Sequence, residues 1–139
     1  MKALALSVLL LCCACATPYQ PEGFMGGYSE MQSERHAWVV LFRANGYTAP
    51  NRAQDFALIR ACELVLDAGC THYRLVDVKS IERRAGSFIR TGNGWANADD
   101  IRKPKVQVGV ECTTPGFGVP AQQKLDSLRS RYGLEASNE

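Results

Sequence analysis

The stretch NRAQDFALIRACELVLDAG (Asn51–Gly69) decides the reading of the fold. Ala53, Phe56, Ala57, Ala61, Leu64, Val65 and Ala68 recur at three- and four-residue spacing and form one apolar stripe of a helix. Asp55, Glu63 and Asp67 fall on its wet side. Asn51 with Gln54 three residues later fits a capping box, and Gly69 fits a C-terminal stop. The alanines in the stripe allow close approach to a sheet.

What flanks this helix is strand-like. HAWVVLFRA (His36–Ala44) is continuously apolar from Ala37 to Phe42, the pattern of a strand central in its sheet or covered on both faces. THYRLVDVKS (Thr71–Ser80) is a second strand, and PKVQVGVEC (Pro104–Cys112) a third, with Val106, Val108 and Val110 alternating against Gln107, Gly109 and Glu111. The first and second strands would form a right-handed crossover if they pair in parallel. Between the last two strands, the segment from Arg83 to Lys103 is rich in glycine and asparagine and is expected to be a long, mobile or functional connection. Its Phe88, Ile89 and Trp95 either flank a small hairpin around Gly92–Gly94 or face a partner. PAQQKLDSLRSRYG (Pro120–Gly133) fits a short amphipathic helix carrying Leu125, Leu128 and Tyr132, with Gly133 as its stop. The expected class is α+β: a small antiparallel or mixed sheet of three to four strands, one long helix on one face, and a short C-terminal helix.

Bulk composition narrows the function only by exclusion. The 139 residues suit one domain, and 16 basic against 14 acidic side chains leave no polybasic footprint, so no nucleic-acid partner is expected. The start is more telling. Met1–Lys2 followed by the uncharged ALALSVLLLCCA (Ala3–Ala14) has the form of a secretory signal peptide, and is shorter than the about 20 apolar residues of a spanning helix. Pro18, Pro21, Gly23, Gly26 and Gly27 then describe an extended tether. The expected organisation is a signal peptide over 1–14, a lipidated tether over 15–27, the domain over 28–119, and the terminal helix and tail over 120–139.

The junction CCAC (Cys12–Cys15) resembles the lipobox of bacterial lipoproteins, with small Ala14 before Cys15 and Cys12 where leucine is usual. Cys15 is the expected acylated residue, and Cys13 the second candidate. ATPYQP (Ala16–Pro21), GFMGGYSE (Gly23–Glu30), FRANGYT (Phe42–Thr48) and DFALIRACEL (Asp55–Leu64) resemble a family of short Gram-negative envelope lipoproteins to which no reaction is assigned. That resemblance implies a diacylglycerol thioether and an acylated amino terminus on Cys15. Ala16, in place of aspartate after the cysteine, implies the outer membrane rather than the inner.

Three cysteines stay outside the signal and the anchor: Cys62, Cys70 and Cys112. An exported protein meets an oxidising compartment. Cys70 opens the second strand and Cys112 closes the third, so antiparallel pairing would set them opposite each other. A bridge there stabilises by roughly 3–4 kcal/mol in the chain-entropy model. Cys62–Cys112 is the alternative pairing; Cys62 otherwise fits a buried free thiol within the helix. Cys70-x-His72 with Cys112 also offers a soft-metal set, although the spacing matches no established zinc pattern and His72 fits a partly exposed strand residue. His36, at the start of a strand, has no nearby thiol or carboxylate in sequence that demands a catalytic role. There is no G-x-S-x-G, H-E-x-x-H or phosphate-binding glycine loop, and Arg60–Glu63 fits a solvated i,i+3 pair, so neither catalytic residues nor a cofactor or metal are expected. The expected function is a lipid-anchored, periplasm-facing protein with a structural or protein-binding role. The alternative is a metal- or redox-responsive sensor built on Cys70, His72 and Cys112.

Overall fold

The computed structural model describes residues 16–91 and 94–135, with the segment 81–102 as backbone only. The expected signal peptide, Cys15, and the side chains of Phe88, Ile89 and Trp95 lie outside the described residues. The chain is α+β. Its elements run β1 (Gly27–Glu34), β2 (Ala37–Arg43), α1 (Pro50–Asp67), β3 (His72–Thr91), β4 (Gly94–Thr113), β5 (Val119–Pro120) and α2 (Ala121–Tyr132). The strands form one five-stranded antiparallel sheet in the order β1-β2-β4-β3-β5. β4 thus lies between β2 and β3, so those two do not pair and the parallel crossover considered above does not form.

Both helices pack on one face of this sheet. Trp38, Val40 and Phe42 of β2 alternate inward, as do Val106, Val108 and Val110 of β4, and all are buried with Ala53, Phe56, Ala57, Ile59, Ala61, Cys62 and Val65 of α1. Phe56 is the hub. Its ring meets Tyr19, Phe42 and Tyr132 edge-on, at centroid distances of 5.7, 5.4 and 5.1 Å, and the Arg52 guanidinium lies 5.2 Å from its centre. Edge-to-face pairing favours such clusters beyond their buried area. α2 adds Ala121, Leu125 and Leu128 to the core, and Gly133 ends it with a left-handed φ of 64°.

Several sequence expectations change here. α1 begins at Pro50, where the missing N–H costs nothing in the first turn, so Asn51 lies inside the helix and makes no box with Gln54. Asp55 and Glu63 are enclosed rather than wet, because α2 and the N-terminal segment cover that side. Glu63 accepts hydrogen bonds from the Tyr19 hydroxyl (2.6 Å), Arg60 (3.1 Å) and Arg129 (2.8 Å). Asp55 accepts from the Tyr132 hydroxyl (2.6 Å) and Arg131 (3.0 Å). Burial, with the bond to Glu63, raises the Tyr19 hydroxyl pKa and keeps that proton in place.

The 83–103 segment is no loop. β3 and β4 continue past the sheet as a two-stranded ribbon paired through Thr91↔Gly94, with an irregularity between Ala85 and Ser87 of the kind that bends a ribbon. β1 is an additional strand. The expected tether also belongs largely to the fold. Thr17 is fully buried, and its N–H donates to Thr48 Oγ1 (2.9 Å). Its hydroxyl donates to the Met25 carbonyl (3.0 Å) and accepts from the Asn45 N–H (2.8 Å). Side-chain bonds of this kind, with backbone bonds such as Glu22 N–H to the Tyr28 carbonyl (2.7 Å), satisfy the proline-bearing segment and dock it.

Candidate functional site

The sheet has two ends, and chemistry gathers at one of them. β2 and β4 pair with Ala37 opposite Glu111, which brings His36 beside Cys112, and the Cys112 N–H donates to the His36 carbonyl (2.9 Å). β3 starts at the same end, with Tyr73 opposite Cys112. Gly69 turns the chain out of α1 with a φ of 80°, and Cys70 donates back to the Val65 carbonyl (3.0 Å). The result is a disulfide between Cys70 and Cys112, with Cα atoms 5.9 Å apart and a sequence separation of 42. Cys62 is left as a buried free thiol.

A ring nitrogen of exposed His36 and the sulfurs of Cys70 and Cys112 all lie within 4.8 Å of one another. His72 takes no part in this group, since its Nδ1 bonds the neighbouring Thr71 hydroxyl at 2.9 Å and its side chain is directed elsewhere. The sensor reading therefore needs His36 in the place of His72. Sequence spacing alone hides this, because Cys70 and His36 are 34 positions apart and only the β2–β4 register joins them. While the disulfide stands, its sulfurs carry no thiolate charge, so the group offers only an imidazole to a cation.

The second feature is an edge. β5 pairs with β3 only at His72 and Tyr73, and beyond them no described strand pairs with the outer side of β3. Along it Leu75, Val76 and Val78 are exposed, Val76 to 62%. An irregularity between Leu75 and Asp77 turns Val76 out of alternation. On the sheet face away from the helices, a groove of about 150 Å³ is lined by Ala37, Val39, Val76, Asp77 and Gly109, with Glu111 at its rim beside its ion-pair partner Arg74.

The third feature lies inside. Burial pushes the Cys62 thiol from its ordinary value of 9.0 up to about 11, against the lowering effect of its hydrogen bond with Tyr73. A folded pKa raised above the unfolded one contributes stability that is complete below pH 9 and is lost as the pH climbs through 11. The expected loss is about 3 kcal/mol. Urea midpoints of the oxidised protein taken across that window should fall more steeply than those of Cys62→Ala; equal slopes would assign the loss to other groups.

No protein-family model matches this chain, and neither a curated protein nor a solved structure shows significant similarity to it. Among the described residues no helix is long and apolar enough to cross a membrane.

Proposed function

We propose that this chain is an exported lipoprotein, anchored in the outer membrane through acyl chains on Cys15, whose domain faces the periplasm and acts by contact with another envelope protein rather than by catalysis. One observation carries the reading: the Cys70–Cys112 disulfide. Such bridges persist outside the reducing cytosol, which agrees with the signal-like start and the lipobox at Cys12–Cys15. The resemblance to short Gram-negative envelope lipoproteins supports the same address. For the contact itself, the edge of β3 that no described strand pairs supplies backbone donors and acceptors, with Leu75, Val76 and Val78 beside them. Strand addition to such an edge is a common recognition mode, and an edge left bare invites aggregation.

Labelled palmitate should be incorporated into the wild-type chain and lost on Cys15→Ala. Retention of the label would move the anchor to Cys13, and its absence from the wild type would sink the lipoprotein reading. A photocrosslinker at Val76 in intact cells should give one discrete adduct that Val78→Asp abolishes.

The placement of His36 favours a second reading, a redox-gated sensor for a soft metal ion. A dithiol reductant would transfer two electrons to the disulfide and leave as its own disulfide, freeing two thiols. A monovalent soft ion such as Cu(I) would then displace their protons and bind Cys70, Cys112 and His36. Stoichiometric Cu(I) binding by the reduced protein only, lost on His36→Ala, is the expected result; binding that survives His36→Ala excludes this ligand set.

A further inference from the structure

The end of the sheet opposite the disulfide carries the N-terminal entry of the fold, and three large apolar side chains surround it. Thr17, fixed by its bonds to Thr48, Met25 and Asn45, sits two residues after Cys15. Beside it Gly23 and Gly26 exchange backbone hydrogen bonds (3.1 and 3.0 Å), closing a tight turn with Phe24 and Met25 at its tip. Phe24 is as exposed as a side chain can be, at 104%, and Met25 is exposed to 46%. Tyr47, exposed to 77%, comes from the β2–α1 loop, where its N–H donates to Asn45 Oδ1 (3.1 Å).

The turn is held open by glycines. Gly26 has a φ of 93°, and a Cβ there would lie 2.3 Å from the Arg43 carbonyl oxygen. Gly27 has a φ of 135°, and its Cβ would lie 2.4 Å from the Gln20 carbonyl oxygen. Only glycine fits such positions. These glycines thus fix a turn that presents an aromatic ring to solvent.

We infer that the anchored domain lies directly on its bilayer, with Phe24, Met25 and Tyr47 set into the boundary between headgroups and acyl chains, rather than swinging free on a tether. This rests on the reading of Cys15 as the acylated residue. Two residues of chain span at most about 7 Å, so an acyl-bearing Cys15 holds the Thr17 slot within that distance of the lipid headgroups. Apolar groups of bound amphipathic segments reach about 5–10 Å into that boundary, and aromatic side chains are favoured there. Arg43, paired to Glu22 at 2.8 Å, and exposed Lys103 border the same tip, at the level where lipid phosphates would lie. The register places the departure of the β3–β4 ribbon at this end too, because β2 stops pairing at Arg43↔Lys105. His36 and the disulfide then face away from the membrane.

The test uses the full acylated chain in vesicles of phosphatidylethanolamine and phosphatidylglycerol. Single cysteines replace Met25, Tyr47 or, at the far end on α2, Gln123, while buried Cys62 and the intact disulfide stay silent toward a membrane-impermeant maleimide. Met25→Cys and Tyr47→Cys should label about tenfold more slowly in vesicles than in a soluble chain that begins at Ala16 and so lacks Cys12, Cys13 and Cys15, and Gln123→Cys at the same rate in both. Adding Phe24→Asp should return the Tyr47→Cys rate toward its solution value. Equal rates at all three positions on a protein whose mass shows the acyl chains would overturn the inference while leaving the anchor intact. A mass without acyl chains would overturn the anchor reading and this one with it. Protection seen in cells but absent in pure vesicles would assign the tip to a protein partner and overturn the lipid assignment.

Discussion

Replacing Phe56 by alanine should cost about 4 kcal/mol, a large share of the roughly 5–15 kcal/mol that stabilises a typical domain. The side chain is 1% exposed, and its ring is the common neighbour of Tyr19, Phe42, Tyr132 and Arg52. Those partners come from the N-terminal segment, the sheet, the second helix and α1 itself, so no single shift closes the cavity. Losing the ring also removes three edge-to-face contacts and the seat of a guanidinium. A second consequence follows at a distance. Tyr19 would keep its bond to Glu63 and its contact with Tyr28 at 4.9 Å, yet lose the ring it stands against. The N-terminal segment should therefore loosen before the sheet does. Chemical denaturation should show the drop in midpoint, and limited proteolysis should cut near residues 16–22 in the variant at denaturant levels that leave wild type intact. Phe56→Leu, which refills most of the volume, should recover more than half of the loss. If Phe56→Ala cost less than about 1 kcal/mol, the hub would be packed more loosely than described.

Much of this core was legible in the chain because it is periodic. Val106, Val108 and Val110 alternate, Ala53, Phe56, Ala57, Ala61 and Val65 recur at helical spacing, and Leu125 and Leu128 mark α2, so the α+β class follows from apolar pattern alone. Elements held by polar contacts were not legible. β1 reads GYSEMQSE, and its inward Glu30 is satisfied by Arg60 at 2.7 Å instead of by apolar packing. Thr17 leaves no periodic trace, since hydrogen bonds rather than area fix it. The ribbon was legible at its tip, as the hairpin around Gly92–Gly94, but not in its length, because Gly and Asn are poor strand formers. Ile59 and Cys62 widen the buried face of α1 beyond one stripe, which is visible only once α2 is known to cover it. The cysteine pairing was legible from strand ends, whereas the neighbour of that pair, His36, was not. It takes the sheet order to place the β1–β2 turn against the end of β4.

Breaking the disulfide is the experiment that separates the two functional readings, and its effect should be as large as that of Phe56→Ala. Cross-linking positions 42 apart removes loop-closure entropy from the unfolded chain, so Cys70→Ala/Cys112→Ala should lower stability by about 4 kcal/mol and the melting temperature by roughly 15 °C. Both sulfurs sit where β3 and β4 begin and end beside α1, and the alanine pair leaves those strands paired, so the variant should keep its far-UV spectrum at low temperature. Reduction of the wild-type protein should reproduce the drop. The readings then diverge. If the bridge is structural, Cu(I) added to the reduced protein changes little, because nothing but a covalent link restores the lost constraint. If the site is a sensor, the ion binds the folded three-ligand site more tightly than the unfolded thiols and raises the midpoint as its concentration grows. His36→Ala decides between them. It should leave the oxidised protein unchanged, since the exposed imidazole contributes no packing, and remove only the metal-dependent recovery. A recovery of equal size in His36→Ala would show two thiolates acting without the imidazole, and the exposed histidine at the far end of the sheet would then belong to the turn and not to a site.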